Sequence, residues 1–122
     1  MKETSNKYKF EAAVQRPLSI VFRHQNGAWE GHDYLIEVVT GRQGLDSFDV
    51  VMDFRELETH LDALLDPFRG KLLSELGIND PIELAKHIAD GLEKHIPPPA
   101  QIKEINLIDG HQQRLSYRVD RG

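Results

Sequence analysis

Apolar and polar residues alternate at the start of the chain: Tyr8, Phe10, Ala12 and Val14 interleave with Lys9, Glu11 and Ala13. A period of two predicts a half-buried strand. Pro17 interrupts the pattern, so the apolar residues 18–22 either resume that strand or form a short separate one. The next stretch, RHQNGAWEGH, carries Asn26-Gly27 and Gly31 as turn signals. Residues 34–41, YLIEVVTG, predict a second strand that ends at Gly41, and a polar connection leads into VVMDF.

From Phe54 the period lengthens. Phe54, Leu57, Leu61, Leu64 and Leu65 recur at helical spacing, with Arg55, Glu56, Glu58 and Asp62 turned outward. Asp53 stands at the N-cap, where its carboxylate meets the first free amides. Pro67 stops this helix, and RGKLLSELG predicts a short helical turn closed by Gly77. A second helix begins at Asp80-Pro81, an N-cap followed by proline at the first helical position. Its expected buried stripe is Ile82, Ala85, Ile88, Leu92 and Ile96, and residues 97–99 end it. Two more alternating runs follow, Ile105 and Leu107, then Leu115, Tyr117 and Val119, joined by a tight DGHQ hairpin. The order is strand, strand, helix, helix, strand, strand: an α+β domain with both helices on one face of a four-stranded antiparallel sheet. Such a sheet leaves edges and one face uncovered, which oligomerisation into a closed barrel would satisfy.

Composition narrows the classes. At 122 residues and 39% apolar content the chain is one globular domain, with a core over about 8–119 and residues 1–6 expected to be disordered. A net charge of −5 with scattered Lys and Arg argues against nucleic acid and anionic membranes as partners. No apolar run reaches the ~18 residues of a membrane span. The polar start MKETSNKYKF lacks the hydrophobic core of a signal peptide, so a cytoplasmic location is expected. With no cysteine, disulfides, thiolate metal sites and thiol nucleophiles are excluded. Phosphate-binding glycine loops and HExxH helices are missing as well.

The element order and several motifs resemble the tunnelling fold of the 6-pyruvoyl- and 6-carboxy-tetrahydropterin synthases. YKFEAAV is similar to that family's opening strand, Phe-x-Ala-Ala-His, and EGHDYLIEV to its His-Gly-His-x-Tyr strand. VVMDFRELE resembles its Met-Val-x-Asp-Phe-x-x-Leu helix start, the most faithful match, and LLDPF its Leu-Asp-His. NDPIELAKHI resembles loosely the Pro-Thr-x-Glu-Asn-Leu-Ala start of the second helix, and INLIDG the strand ending in Glu-Thr.

The resemblance implies a pterin pocket between subunits of a trimer or hexamer, and three histidines holding a catalytic zinc. Those histidines fall on Val14, Glu30 and His32, so only one is kept. A catalytic zinc needs three protein ligands and an open position. The family's cysteine falls on Asn26, which cannot take a proton from carbon at neutral pH. The relay histidine falls on Pro67, with Asp66 kept beside it, and the pterin-anchoring glutamate falls on Asp109. Scaffold and acidic anchor stay while metal, base and relay are gone.

Each candidate residue has a functional and a plainer reading. His32 is a hydrogen-bonded residue at a strand start, a polar contact in a ligand pocket, or a zinc ligand in a rebuilt site with Glu30 and His24. Asp109 accepts paired hydrogen bonds from the amino group and ring N–H of a pterin or guanine, or simply makes a turn with Gly110. Glu30 acts as a base if buried beside His32, or is solvated. Asp66 is a relay vestige or, more commonly, the end of a helix. Trp29 stacks on a heterocycle or packs under the strands. His60, His87, His95 and His111 read as solvated.

The expected function is a divergent synthase homologue that binds a pterin- or purine-like heterocycle without zinc or another cofactor. One alternative is an enzyme of pterin, folate or deazapurine metabolism with altered chemistry, a lyase or synthase acting on a dihydropterin through Glu30 and His32, as in the metal-free aldolases of this fold. Another is an oligomeric interaction module with a closed pocket.

Overall fold

A computed structural model of the chain describes residues 9–44, 52–110 and 113–119. Four strands pair antiparallel in the order β1-β2-β3-β4: β1 Phe10–Arg23, β2 Trp29–Arg42, β3 Gln101–Asp109 and β4 Gln113–Arg118. Two helices, α1 Phe54–Leu65 and α2 Pro81–Glu93, lie between β2 and β3 in the chain. They cover one face of the sheet, so the expected ββααββ arrangement holds. The expected disorder of residues 1–6, the strand position of Tyr8, most of the 42–49 connection and His111 fall outside the described residues.

The core forms where alternate strand residues meet the helix stripes. Leu18 and Ile20 from β1, Ile36 and Val38 from β2, and Ile105 and Leu107 from β3 are buried on the helix-facing side. Leu57, Leu61 and Leu65 of α1 and Leu84, Ala85, Ile88 and Leu92 of α2 press onto them. Two expected core residues are outside it. Phe54 and Ile82 are 48% and 53% exposed, because each sits in the first turn of its helix, beyond the sheet's cover. Leu84 and Ala89 are buried instead, widening the α2 stripe.

Pro17 does not divide β1. It pairs with Leu35 inside a continuous strand of 14 residues. β1 is an edge strand, and its odd-numbered residues turn their backbone groups away from β2: the Gly70 amide donates to the Ser19 carbonyl and the Val21 amide to the Lys71 carbonyl. By the same period the proline nitrogen points outward, so no bond of the β1–β2 ladder is lost. The Pro17 carbonyl accepts from Arg69, and Arg16 bonds Asp62 of α1 at 2.9 Å. These contacts fasten the proline segment to α1.

Both helix starts are built as their sequences indicate. Asp53 accepts from the Arg55 amide, and Asp80 accepts from the Glu83 amide with Pro81 in the first turn. α1 ends at Leu65 and passes into a 3₁₀ turn, Asp66–Phe68, at the proline. The 69–77 stretch contains a second 3₁₀ turn, Leu73–Leu76, closed by Gly77 in the left-handed region at φ 84°.

The β1–β2 connection is tighter than the turn signals suggest. The His24 amide donates to the Ala28 carbonyl at 2.8 Å, and the Gly27 amide to the His24 carbonyl at 2.9 Å. Gly27 takes φ 88°, a conformation that favours glycine, and Asn26 accepts from the Ala28 amide. Gly31 is not part of a turn: it lies within β2 opposite Val21. β2 therefore starts at Trp29, five residues earlier than its apolar run, because the short loop brings the polar residues 29–33 into register with the end of β1.

Candidate functional site

The early start of β2 decides which residues meet. Glu30, His32 and Tyr34 alternate on the helix-facing side of the sheet, opposite Phe22, Ile20 and Leu18. Tyr34 pairs with Asp109, the last residue of β3, and therefore shares its face. The helices leave this end of the sheet open. A pocket of about 460 Å³ lies there, walled by His32, Tyr34, Leu107 and Asp109 from the sheet and by Asp80, Pro81 and Ile82 from the start of α2. Gln113, Arg114 and Leu115 of β4 complete it.

His32 is the hub of a polar chain. Its Nδ1 lies 3.5 Å from Asp109 Oδ2, and its Nε2 lies 2.5 Å from Glu30 Oε2. The other oxygen of Glu30 meets Nε2 of His24 in the hairpin. The chain Asp109–His32–Glu30–His24 runs from the pocket to solvent: the His32 side chain is 15% exposed and that of His24 51%. The His32 ring is held on both sides as well, stacked on Tyr34 at 4.9 Å and edge-on to Phe22 at 5.9 Å. It is thus a fixed, bonded imidazole that also lines the pocket.

The electrostatics assign different states to Glu30 and Tyr34. The hydrogen bond from His24 holds the Glu30 carboxyl below its ordinary value of 4.5, with the nearby His32 and His24 charges adding to the effect against desolvation. Its side chain is 45% exposed, so the burial that would make it a strong base is missing. Burial, then the Asp109 and Glu30 carboxylates, push the Tyr34 hydroxyl up to about 12. Tyr34 stays protonated at neutral pH as a hydrogen-bond donor.

A folded-state value below the unfolded one means that Glu30 favours the folded hairpin above the ordinary carboxylate range, and that this contribution fades as pH falls through the lowered value. A carboxyl NMR titration should accordingly place the Glu30 midpoint below 4.5, with a return toward 4.5 in His24→Ala. A midpoint that does not move in this variant would show that His24 does not hold the carboxylate.

The other candidate residues are placed elsewhere. Trp29 is 64% exposed and lies under the Arg23 guanidinium, 5.0 Å from the ring centroid. It neither lines the pocket nor packs under the strands. Asp66 is an exposed residue of the 3₁₀ turn, bonded to Arg69 at 3.0 Å, which matches the helix-end reading. Asp109 ends β3 just before the turn at Gly110 and also lines the pocket. Among the histidines read as solvated, His60 stacks on His95 at 4.0 Å and His87 meets Phe68 edge-on; these three do not line the pocket.

The ligand set that the resemblance places on Val14, Glu30 and His32 does not come together. Val14, on which the resemblance put the first histidine, pairs with Val38, six residues along β1 from the Ile20–His32 pair. At the rise of a strand that is roughly 20 Å, too far for any side chain to share a ligand shell with His32. The β1 residues beside His32 are Ile20 and Phe22, apolar and buried. His24 and His32 bond opposite oxygens of Glu30. Among the described residues no group of three or more His, Asp or Glu side chains is arranged to hold a metal ion.

Tyr34, Asp80 and Leu115 are pocket residues that sequence reasoning did not single out. Tyr34 was detectable, since it follows His32 by two in a strand and must share its face. Asp80 was read as a cap alone, and nothing in the sequence brings the start of α2 to β4.

The family model described as 6-pyruvoyl tetrahydropterin synthase matches residues 4–120. Among solved structures, 6-pyruvoyl tetrahydropterin synthase from Caenorhabditis elegans is similar in fold, with a TM-score of 0.74 at 14% identity over 93% of this chain and 99% of that one. None of the curated proteins matches the sequence.

Proposed function

Since the chain belongs to the 6-pyruvoyl tetrahydropterin synthase family, we propose that it is a divergent member that binds a pterin- or purine-like heterocycle without zinc. The observation that carries this reading is the pocket itself. It combines apolar walls of Tyr34, Leu107, Ile82 and Leu115 with two carboxylates, Asp109 at the strand end and Asp80 at the start of α2. Flat heterocycles with adjacent amino and ring N–H donors suit such a carboxylate, which accepts both at once. His32 steadies the carboxylate from one side, and the protonated Tyr34 offers a donor to a ring nitrogen or carbonyl.

The pocket sits at the open end of a sheet whose outer strands are β1 and β4. Residues 69–74 bond the β1 edge from Pro17 to Arg23 and leave its first half, residues 10–15, for pairing. Pairing of β1 of one copy with β4 of the next would close a barrel and set the pocket at a subunit boundary, in a trimer or hexamer. No described helix is long and apolar enough to cross a membrane, and the reading places the protein in the cytoplasm. Thermal shift with neopterin, biopterin and guanine tests the reading: a rise with at least one of them supports it, and none with any contradicts it.

The polar chain favours a second reading, an enzyme acting on a dihydropterin with Glu30 and His32 as the acid–base pair. Turnover of dihydroneopterin that disappears in Glu30→Gln would select it over simple binding. An interaction module with a closed pocket accords least with the 460 Å³ opening.

A further inference from the structure

The two edges of the sheet match in backbone phase. On β1 the outward groups belong to odd-numbered residues, as the bonds at Ser19, Val21 and Arg23 show. Its free half therefore offers those of Glu11, Ala13 and Gln15. Beyond β4 the Val119 amide donates to the Lys103 carbonyl. Odd-numbered residues of this strand thus bond β3, and the outward groups are those of Arg114, Ser116 and Arg118. The pleat agrees. Leu18 and Ile20 of β1 and Leu115 and Tyr117 of β4 pack on the helix side, so both outward sets lie on the uncovered face. Four alternating strands also make β4 antiparallel to β1.

A β4–β1 ladder between copies can therefore shift only in steps of two residues, and one step suits the side chains. We propose that the seam between copies pairs Glu11 with Arg118, Ala13 with Ser116 and Gln15 with Arg114. On the helix side this register sets Val14 against Leu115. Phe54, 48% exposed beside Val14, then covers Ile82 of the next copy, 53% exposed beside Leu115. Glu11 also bonds Lys103 and Arg118 bonds Glu104, so opposite charges alternate across the seam. A slip one way sets Lys9 against Arg118, two like charges. A slip the other way sets Arg114 against Pro17, which has no N–H and whose carbonyl Arg69 already holds. The inference rests on the pairing of copies put forward above. It adds the register and a shared wall: the Leu115–Ile82 side of the pocket continues onto Val14 and Phe54 of the neighbour.

Disulfide trapping in the full chain tests it, since the sequence has no cysteine of its own. In Ala13→Cys/Ser116→Cys the two thiols of one subunit are kept apart by two intervening strands, roughly 14 Å. Between copies the same pair stands opposite at roughly 5.5 Å between Cα atoms, within disulfide reach. Mild oxidation should link most of this variant into dimers and larger species on a non-reducing gel. Ala13→Cys/Arg114→Cys, which a two-residue slip would favour, should link about fivefold less. Phe54→Ser should raise the dissociation constant of the assembly by about tenfold or more in sedimentation equilibrium, because apolar surface is no longer covered. Equal or greater linking of the slipped pair overturns the register, as does no linking of either pair while the unmodified protein sediments as an oligomer. An unchanged constant in Phe54→Ser overturns the shared wall. A protein that sediments as a monomer throughout removes the pairing of copies, and the inference with it, while leaving heterocycle binding to its own thermal-shift test.

Discussion

Leu61→Ala should lower the stability of the domain by ~2–5 kcal/mol, the range for removing a large buried aliphatic side chain. Leu61 is fully buried at the middle of α1, between Leu57 and Leu65 and against the sheet. Its loss leaves a cavity that cannot collapse readily, because β1 is fastened to α1 by the Arg16–Asp62 bond. Domains of this kind are stable by only ~5–15 kcal/mol, so the change is a large fraction of the total. Urea unfolding should show a lower midpoint with an unchanged slope. Ile88→Ala on α2 should behave alike, since Ile88 is equally buried. Ile82→Ala, in an exposed first turn, should cost far less. A loss under ~1 kcal/mol for both buried positions would mean that the helix stripes do not lie on the sheet as described.

The second large effect concerns the pocket. Asp109→Asn keeps the shape of the side chain and removes its charge. A hydrogen bond to an ionised group contributes ~1.5–3 kcal/mol, more than a neutral one. Heterocycle affinity should therefore fall by roughly 10- to 100-fold, and ligand-induced thermal stabilisation should vanish at concentrations that saturate the unmodified protein. The fold should survive, because Asp109 is the last residue of β3 and its side chain is one-third exposed. An affinity unchanged in this variant would place the anchor elsewhere, with Asp80 the next carboxylate in the same cavity.

Much of this arrangement was legible in the chain. The periods of two and of 3.6 mark four strands and two helices, and the caps at Asp53 and Asp80 follow from side-chain chemistry acting within a few residues. The family likeness was legible too, in motifs such as VVMDFRELE and EGHDYLIEV that the match over residues 4–120 supports. The misreadings arise where distant parts decide a local outcome. Pro17 looks like a strand break until β1 is known to be an edge whose odd-numbered backbone groups face outward. Gly31 looks like a turn until the hairpin at Gly27 takes up the reversal and pulls residues 29–33 into β2. Val14 matches a motif position, yet register sets it six residues from the level of His32. Motif similarity cannot count rungs of a ladder.

The site shows the same division. His32 and Asp109 could be named from the sequence, and the pairing of Tyr34 with Asp109 brings them together across β2 and β3. Trp29 and Asp66 could be named as well, but the hairpin leaves the first exposed and the proline turn directs the second to Arg69. The contact of α2 with β4 at the pocket depends on how the helices cross the sheet, and no local signal records it.

The central claim is that a carboxylate-anchored pocket, working without zinc, holds a heterocycle. Titration of biopterin into protein stripped with a strong chelator measures this most directly. Saturable binding at one site per chain, unaltered when zinc is added back, is the expected result. Binding that appears only on restoring zinc, or no binding with or without it, would contradict the account.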